Sequence, residues 1–243
     1  MRRGRLARYS LWQFRDFVVE RGISIVIIGF LWGYVLVEPL RRAMGPQWIT
    51  AGASAVLPMV LQVSSAIVSL SVLIAMNGIV SSDRKAGYYR FLFSKPVSPV
   101  RYYAQLFFVN MAGVLAAMLV LSSILHAVLA EFSILNYLLY TAIIYIAMGG
   151  IGFFLSVATR YDWLTLAAVW LGSRILRTLY GPRHDWRSKL VEVLPPVHRL
   201  DDVANSLIGR GVADATDVVW LLGYGAVFFA VGLYVLRRGS LAD

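Results

Sequence analysis

Two strongly apolar runs, Ala53–Val80 and Val100–Val128, are each long enough to cross a lipid bilayer, and nothing else constrains the fold of this chain as much. A helix rises about 1.5 Å per residue, so roughly 20 apolar residues span a hydrocarbon layer about 30 Å thick while satisfying their own backbone. Further stretches of this kind are Gly22–Glu38, Leu135–Ala158, Asp162–Tyr180 and Val218–Leu236. The 243 residues are 59% hydrophobic and 15% charged, whereas soluble domains run about 45–50% apolar and about 25% charged. The sequence therefore predicts an all-α membrane protein, one transmembrane domain over 1–243 with six spans and short connections. Its net charge of +10 fits anionic lipid and the ends of spans, with no nucleic-acid partner.

Between the two runs lies the one long charged interruption, Ser81–Gln105. Asp83 follows a serine pair and precedes Arg84 and Lys85, the composition of a helix start, and Pro96 forbids continuation, so a short helix is expected over 83–95. Tyr88, Phe91 and Leu92 fall on one face of it, with Tyr89 and Phe93 beside them, while Arg90 and Lys95 add charge. Read alone, such a segment is an interfacial anchor, with aromatic rings at headgroup level and cations on anionic lipid.

The order of parts goes further. An acid, an arginine, a glycine four positions after the acid, an apolar patch and Pro-x-Ser leading into a span are Asp83, Arg84, Gly87, Leu92, Pro96 and Ser98. This resembles the loop between the second and third spans of ABC-2 type permeases, the membrane subunits of ATP-driven exporters. Asp83 stands where Glu is more usual, Pro99 where a basic residue is usual, and Gln105 where Lys is usual. The resemblance implies that Asp83, Arg84, Gly87, Tyr88, Tyr89, Phe91, Leu92 and Pro96 form a coupling helix that docks into a separate cytoplasmic ATPase subunit. It also implies a second permease subunit, identical or related, and an N-terminal elbow helix.

The residues themselves support an elbow over 9–21: Gln13, Asp16 and Glu20 recur on one side, and Leu11, Phe14 and Val18 on the other, so an amphipathic helix is expected in the inner interface. In the first span, Gly29 and Gly33 have the spacing that lets helix backbones approach, either at a subunit interface or within one bundle. The second span is the most polar, with Gln62, Ser64, Ser65, Ser69, Ser71 and Asn77, a pattern that suits either a pathway lining or hydrogen-bonded packing. The Gly149, Gly150 and Gly152 cluster in the fourth span costs helix propensity unless a neighbour packs on the bare backbone or the helix bends. In the fifth span Arg174 and Arg177 are three apart on one face; they either snorkel to the outer surface or face a hydrated interior.

Residues 183–210 predict two amphipathic helices divided by Pro195 and Pro196, the first marked by Trp186, Leu190 and Val193, the second by Leu200, Ala204, Leu207 and Ile208. Together with Arg174 and Arg177, Trp186 and Leu190 are candidates for an outer gate above a pathway. With both termini inside, the larger share of the 23 Lys and Arg lies inside, although the cations from Arg174 to Arg210 then lie outside.

A phosphate-binding loop needs Gly-Lys followed by Ser or Thr, and none of Lys85, Lys95 and Lys189 follows a glycine. The chain is therefore expected to bind no cofactor itself, with ATP and Mg held by the partner subunit. Two other classes remain in play. A secondary transporter would favour inverted repeats and buried charges near mid-membrane; a membrane enzyme would draw on His184, Asp185, Glu192, His198, Asp201 and Asp202.

Overall fold

The structure, a computed structural model, describes residues 3–44, 52–85, 87, 98–128, 132–159, 162–180 and 197–238, and among them there is no β-strand. Helix α1 (Arg3–Phe17) passes through a π-helical turn (Val18–Gly22) into α2 (Ile23–Met44). There follow α3 (Gly52–Met76), the short α4 (Ser81–Lys85), α5 (Pro99–Val128), α6 (Ile134–Ala158) and α7 (Asp162–Tyr180). Helix α8 (Val197–Ala204) is extended by a second π-helical turn (Asn205–Gly209), and α9 (Ala215–Arg238) completes the bundle. Among the described residues, five helical stretches are long and apolar enough to cross a membrane: Arg8–Val35, Val63–Arg84, Pro99–Ala127, Ile134–Ala158 and Ala215–Arg238. Helix α7, whose sequence carries Arg174 and Arg177, is not among these described stretches.

Helix α6 is the hub, packed against α9, α3, α5 and α7. Among the described residues it carries four of the five bulkiest fully buried side chains, Tyr137, Tyr140, Tyr145 and Phe153, the fifth being Tyr103 of α5. A buried phenol needs a partner, and each finds one: Tyr145 donates to the Phe107 carbonyl at 2.9 Å, Tyr140 to Ser65 Oγ at 2.8 Å, and Tyr137 meets Met118 Sδ at 3.8 Å. Phe107, Phe153 and Phe229 close the centre, with ring centroids 4.4 Å apart for Phe107 and Phe229 and 4.9 Å for Phe153 and Phe229. On the outside, Ile27, Leu31, Phe108, Val120, Val227 and Val231 are exposed. A bundle apolar both inside and out is what a lipid solvent requires.

Helix α6 stays helical through its glycines because α9 packs on the bare backbone. A Cβ at Gly150 would overlap the Gly225 carbonyl, and one at Gly225 would overlap that of Ile146. Two polar residues of α3 have protein partners: Ser71 Oγ donates to the Ile67 carbonyl of its own helix at 2.7 Å, and Ser65 Oγ joins Tyr140 to Asp201.

Several of the expected boundaries differ from what is observed. Helix α1 runs on into α2 through the π-helical turn, with no non-helical residue between Tyr9 and Val37. Along α1, Leu11 is 69% exposed and Gln13 only 7%, because Gln13 Oε1 accepts a 3.1 Å hydrogen bond from Gln105 of α5. The helix also runs past Glu38 and Pro39 to Met44. Helix α3 ends at Met76, short of the expected Val80, where the turn 77–80 contains Gly78 at φ +74°, a conformation that terminates a helix. Finally, α4 starts at Ser81, and Gly87 at φ +70° prevents one continuous helix over 83–95.

Candidate functional site

At the end of α3 the last four carbonyls lack intrahelical partners and must find others. All four do. The Leu73 carbonyl accepts from Asn77 N at 3.1 Å and that of Met76 from Ile79 N at 3.3 Å. Arg21, from the π-helical turn, donates to Ala75 O at 2.7 Å and Ile74 O at 3.4 Å, and Asn110 of α5 adds a second donor to Ala75 O at 3.2 Å. A cation at this position also meets the negative end of the helix dipole.

Helix α6 ends beside it and is capped in the same manner by α4. Arg84 Nη2 donates to the Val157 carbonyl at 3.0 Å, and the Val80 amide to Ser156 Oγ at 3.1 Å. On the other side of α4, Tyr103 of α5 donates to Asp83 Oδ2 at 3.2 Å. The acid and the cation of the loop motif thus point to different spans, one to the start of α5 and one to the end of α6. Together these bonds form a polar brace in which any displacement of α4 pulls on both.

Next to the brace, between α1 and the start of α5, lies an open cleft of ≈ 280 Å³. Tyr9, Trp12, Phe17 and Tyr102 give it aromatic walls, and Asp16, Glu20, Asp83 and Arg21 give it charge. Gln13, which lines it, is tied to α5 by Gln105 Nε2, which also donates to Ser10 Oγ at 2.9 Å. Phe17 seats α1 on α5, where a Cβ at Gly113 would overlap its ring.

Of the residues singled out in the sequence, Asp83 and Arg84 are thus at the brace, and Gly87 follows it. Tyr88, Tyr89, Phe91, Leu92 and Pro96 lie outside the described residues, as do Trp186 and Leu190. Arg174 and Arg177 belong to α7, with side chains outside the described set. At Gly29 a Cβ would press on Leu121 of α5 and Ile67 of α3, so this glycine packs within the bundle. Gly33 is buried as well.

The helix expected after Pro196 is present as α8, with Leu200, Ala204, Leu207 and Ile208 all buried against the end of the bundle remote from the brace. Polar contacts fix it there. Asp201 accepts from Ser65 at 3.4 Å, and Arg199 pairs with Asp217 of α9 at 2.7 Å. Sequence reasoning missed Arg21, Tyr103, Asn110 and Ser156. The signal available for them was their chemistry, single polar side chains within a turn or two of a span end, which a carbonyl or a carboxylate at that level would satisfy. No protein-family model, curated protein or solved structure matches this chain.

Proposed function

We propose that this chain is the permease subunit of an ABC-2 type exporter, a six-span translocation unit that pairs with a second permease subunit and with two cytoplasmic ATPase subunits. The observation that carries the reading is the brace: Asp83 and Arg84, the acid and arginine of the resembling motif, bond to α5 and α6 respectively. A loop that only anchors the chain to lipid has no need of such bonds. A loop that receives force from an ATPase does, because its displacement must reach the spans. In this mechanism ATP binding closes the ATPases, the segment 83–95 moves with them, and the brace carries that motion into α5 and α6. ATP and Mg belong to the partner, α7 serves as the sixth span, and Trp186, Leu190 and the arginines of α7 border the outer exit.

Tyr88, Phe91 and Leu92 supply the docking surface, since aromatic and aliphatic anchors in a desolvated pocket contribute about 2 kcal/mol or more each. Affinity purification of the tagged chain from its native membrane is expected to recover an ABC ATPase in comparable amount. Phe91→Asp combined with Leu92→Asp is expected to abolish that recovery while leaving membrane insertion intact. Absence of any ATPase from the wild-type preparation, or equal recovery with the double variant, overturns the reading.

A further inference from the structure

The cleft beside the brace has a composition that α1 does not need for packing. Neither Asp16 nor Glu20 has a hydrogen bond or ion pair among the described residues, although both face the cleft. Arg21, its cation, is directed onto the carbonyls of α3, where the helix dipole offsets its charge. The cleft is therefore net negative, which excludes phosphate and other anions. The carboxylates do not gather closely enough to hold a metal ion: no group of three metal-ligating side chains converges among the described residues. What remains is a larger cation. Trp12, 58% exposed at the rim, and Tyr9 and Tyr102 in the walls present the aromatic surfaces that attract alkylammonium groups.

We propose that this cleft binds an organic ammonium ion, its cationic head among Asp16, Glu20 and Asp83 and its alkyl groups against Trp12 and Tyr102. The volume, ≈ 280 Å³, accommodates a quaternary ammonium head and a short chain and lies near the lower bound of about 300 Å³ for small-molecule sites. Desolvating an ammonium with a full hydration shell is costly, whereas a quaternary head carries its charge under methyl groups and suits a site that joins carboxylates to aromatic rings. Two sources share this chemistry, the headgroup of a choline lipid and a free ammonium solute. The inference stands on the cleft alone and does not require an ATPase partner.

The test uses the purified full-length chain in nanodiscs of phosphatidylglycerol, with radiolabelled choline as the probe. Saturable binding is expected, displaced by unlabelled choline and not by dimethylbutanol, its uncharged isostere. Asp16→Asn combined with Glu20→Gln is expected to weaken binding at least tenfold, and Trp12→Ala severalfold more than Trp12→Phe. Adding phosphatidylcholine to the discs separates the sources: loss of choline binding identifies the lipid headgroup, and unchanged binding identifies a free solute. No saturable binding in phosphatidylglycerol, displacement by the neutral alcohol, or wild-type affinity in the Asp16 and Glu20 variant overturns the proposal. The isostere comparison needs only wild-type protein, so a variant that misfolds does not remove the test.

Discussion

Arg21 and Arg84 perform the same task on neighbouring helices, each carrying its guanidinium to the free carbonyls at a helix C-terminus. The two sites differ in what else they hold. Arg21 shares Ala75 O with Asn110, so its loss leaves one donor in place. Arg84 Nη2 is the donor to Val157 O, and its Nε is buried with no partner among the described residues. Hydrogen bonds to charged groups contribute about 1.5–3 kcal/mol, and the buried Nε offsets part of that. Arg84→Met is therefore expected to lower the stability of the detergent-solubilised protein by about 1–2 kcal/mol in a thermal melt. Faster amide exchange is expected in the last turn of α6, while the end of α3 keeps its protection. Arg21→Met is expected to reverse that pattern, exposing residues 74–76 and leaving α6 unchanged. Equal loss of protection at both ends in either variant would mean that the brace melts as one unit and that the two caps are not separate.

Two glycines of α9 make the packing of the elements testable. Gly225 meets the backbone of α6, where an added Cβ overlaps Ile146 O, whereas Gly223, two residues away, has open space around its would-be Cβ. Backbone cannot give way as a flexible side chain can, so Gly225→Ala forces the helices apart, at a cost of about 1–3 kcal/mol for overpacking. Gly223→Ala is expected to stabilise α9 by about 0.5–1 kcal/mol through helix propensity. Melting temperatures that move in opposite directions check both. The contrast also marks where sequence reading reaches its limit. Helix positions were legible from the uncharged runs, and α5, α6, α7 and α9 begin and end within about three residues of expectation. The cluster at 149–152 announced a close neighbour without naming it, because the partner glycine lies 75 positions further along the chain. The two sides of α1 were legible, but the partner that buries Gln13 was not, because it lies 92 positions along the chain. In lipid, Leu11 belongs outside and Gln13 inside, once Gln105 is there to bond it. Asp83 and Arg84 were legible as a motif, but their partners Tyr103 and Val157 required the fold.

At the scale of the whole molecule the open question is which end of the bundle faces the cell interior, and the chain is suited to answering it. It contains no cysteine, so a single introduced thiol reports alone. The brace, the end of α6 and the start of α5 share one end; Ser98, exposed just before α5, marks it. The other end carries α8 and the start of α6, where Gly211 lies 3.8 Å from Asn136 at the nearest approach of an added Cβ, and Val212 is 74% exposed. A permease that meets a cytoplasmic ATPase through segment 83–95 must have the Ser98 end inside. The cations from Arg174 to Arg210 then lie outside, against the usual excess of Lys and Arg on the inner face. Val212→Cys is therefore expected to react with a membrane-impermeant maleimide in intact cells, and Ser98→Cys only after lysis. The reverse pattern inverts the bundle, puts the brace outside, and removes the ATPase from reach of segment 83–95. Labelling of both positions in intact cells would instead mean that the helices between them do not cross the bilayer, and the six-span reading would fall with it.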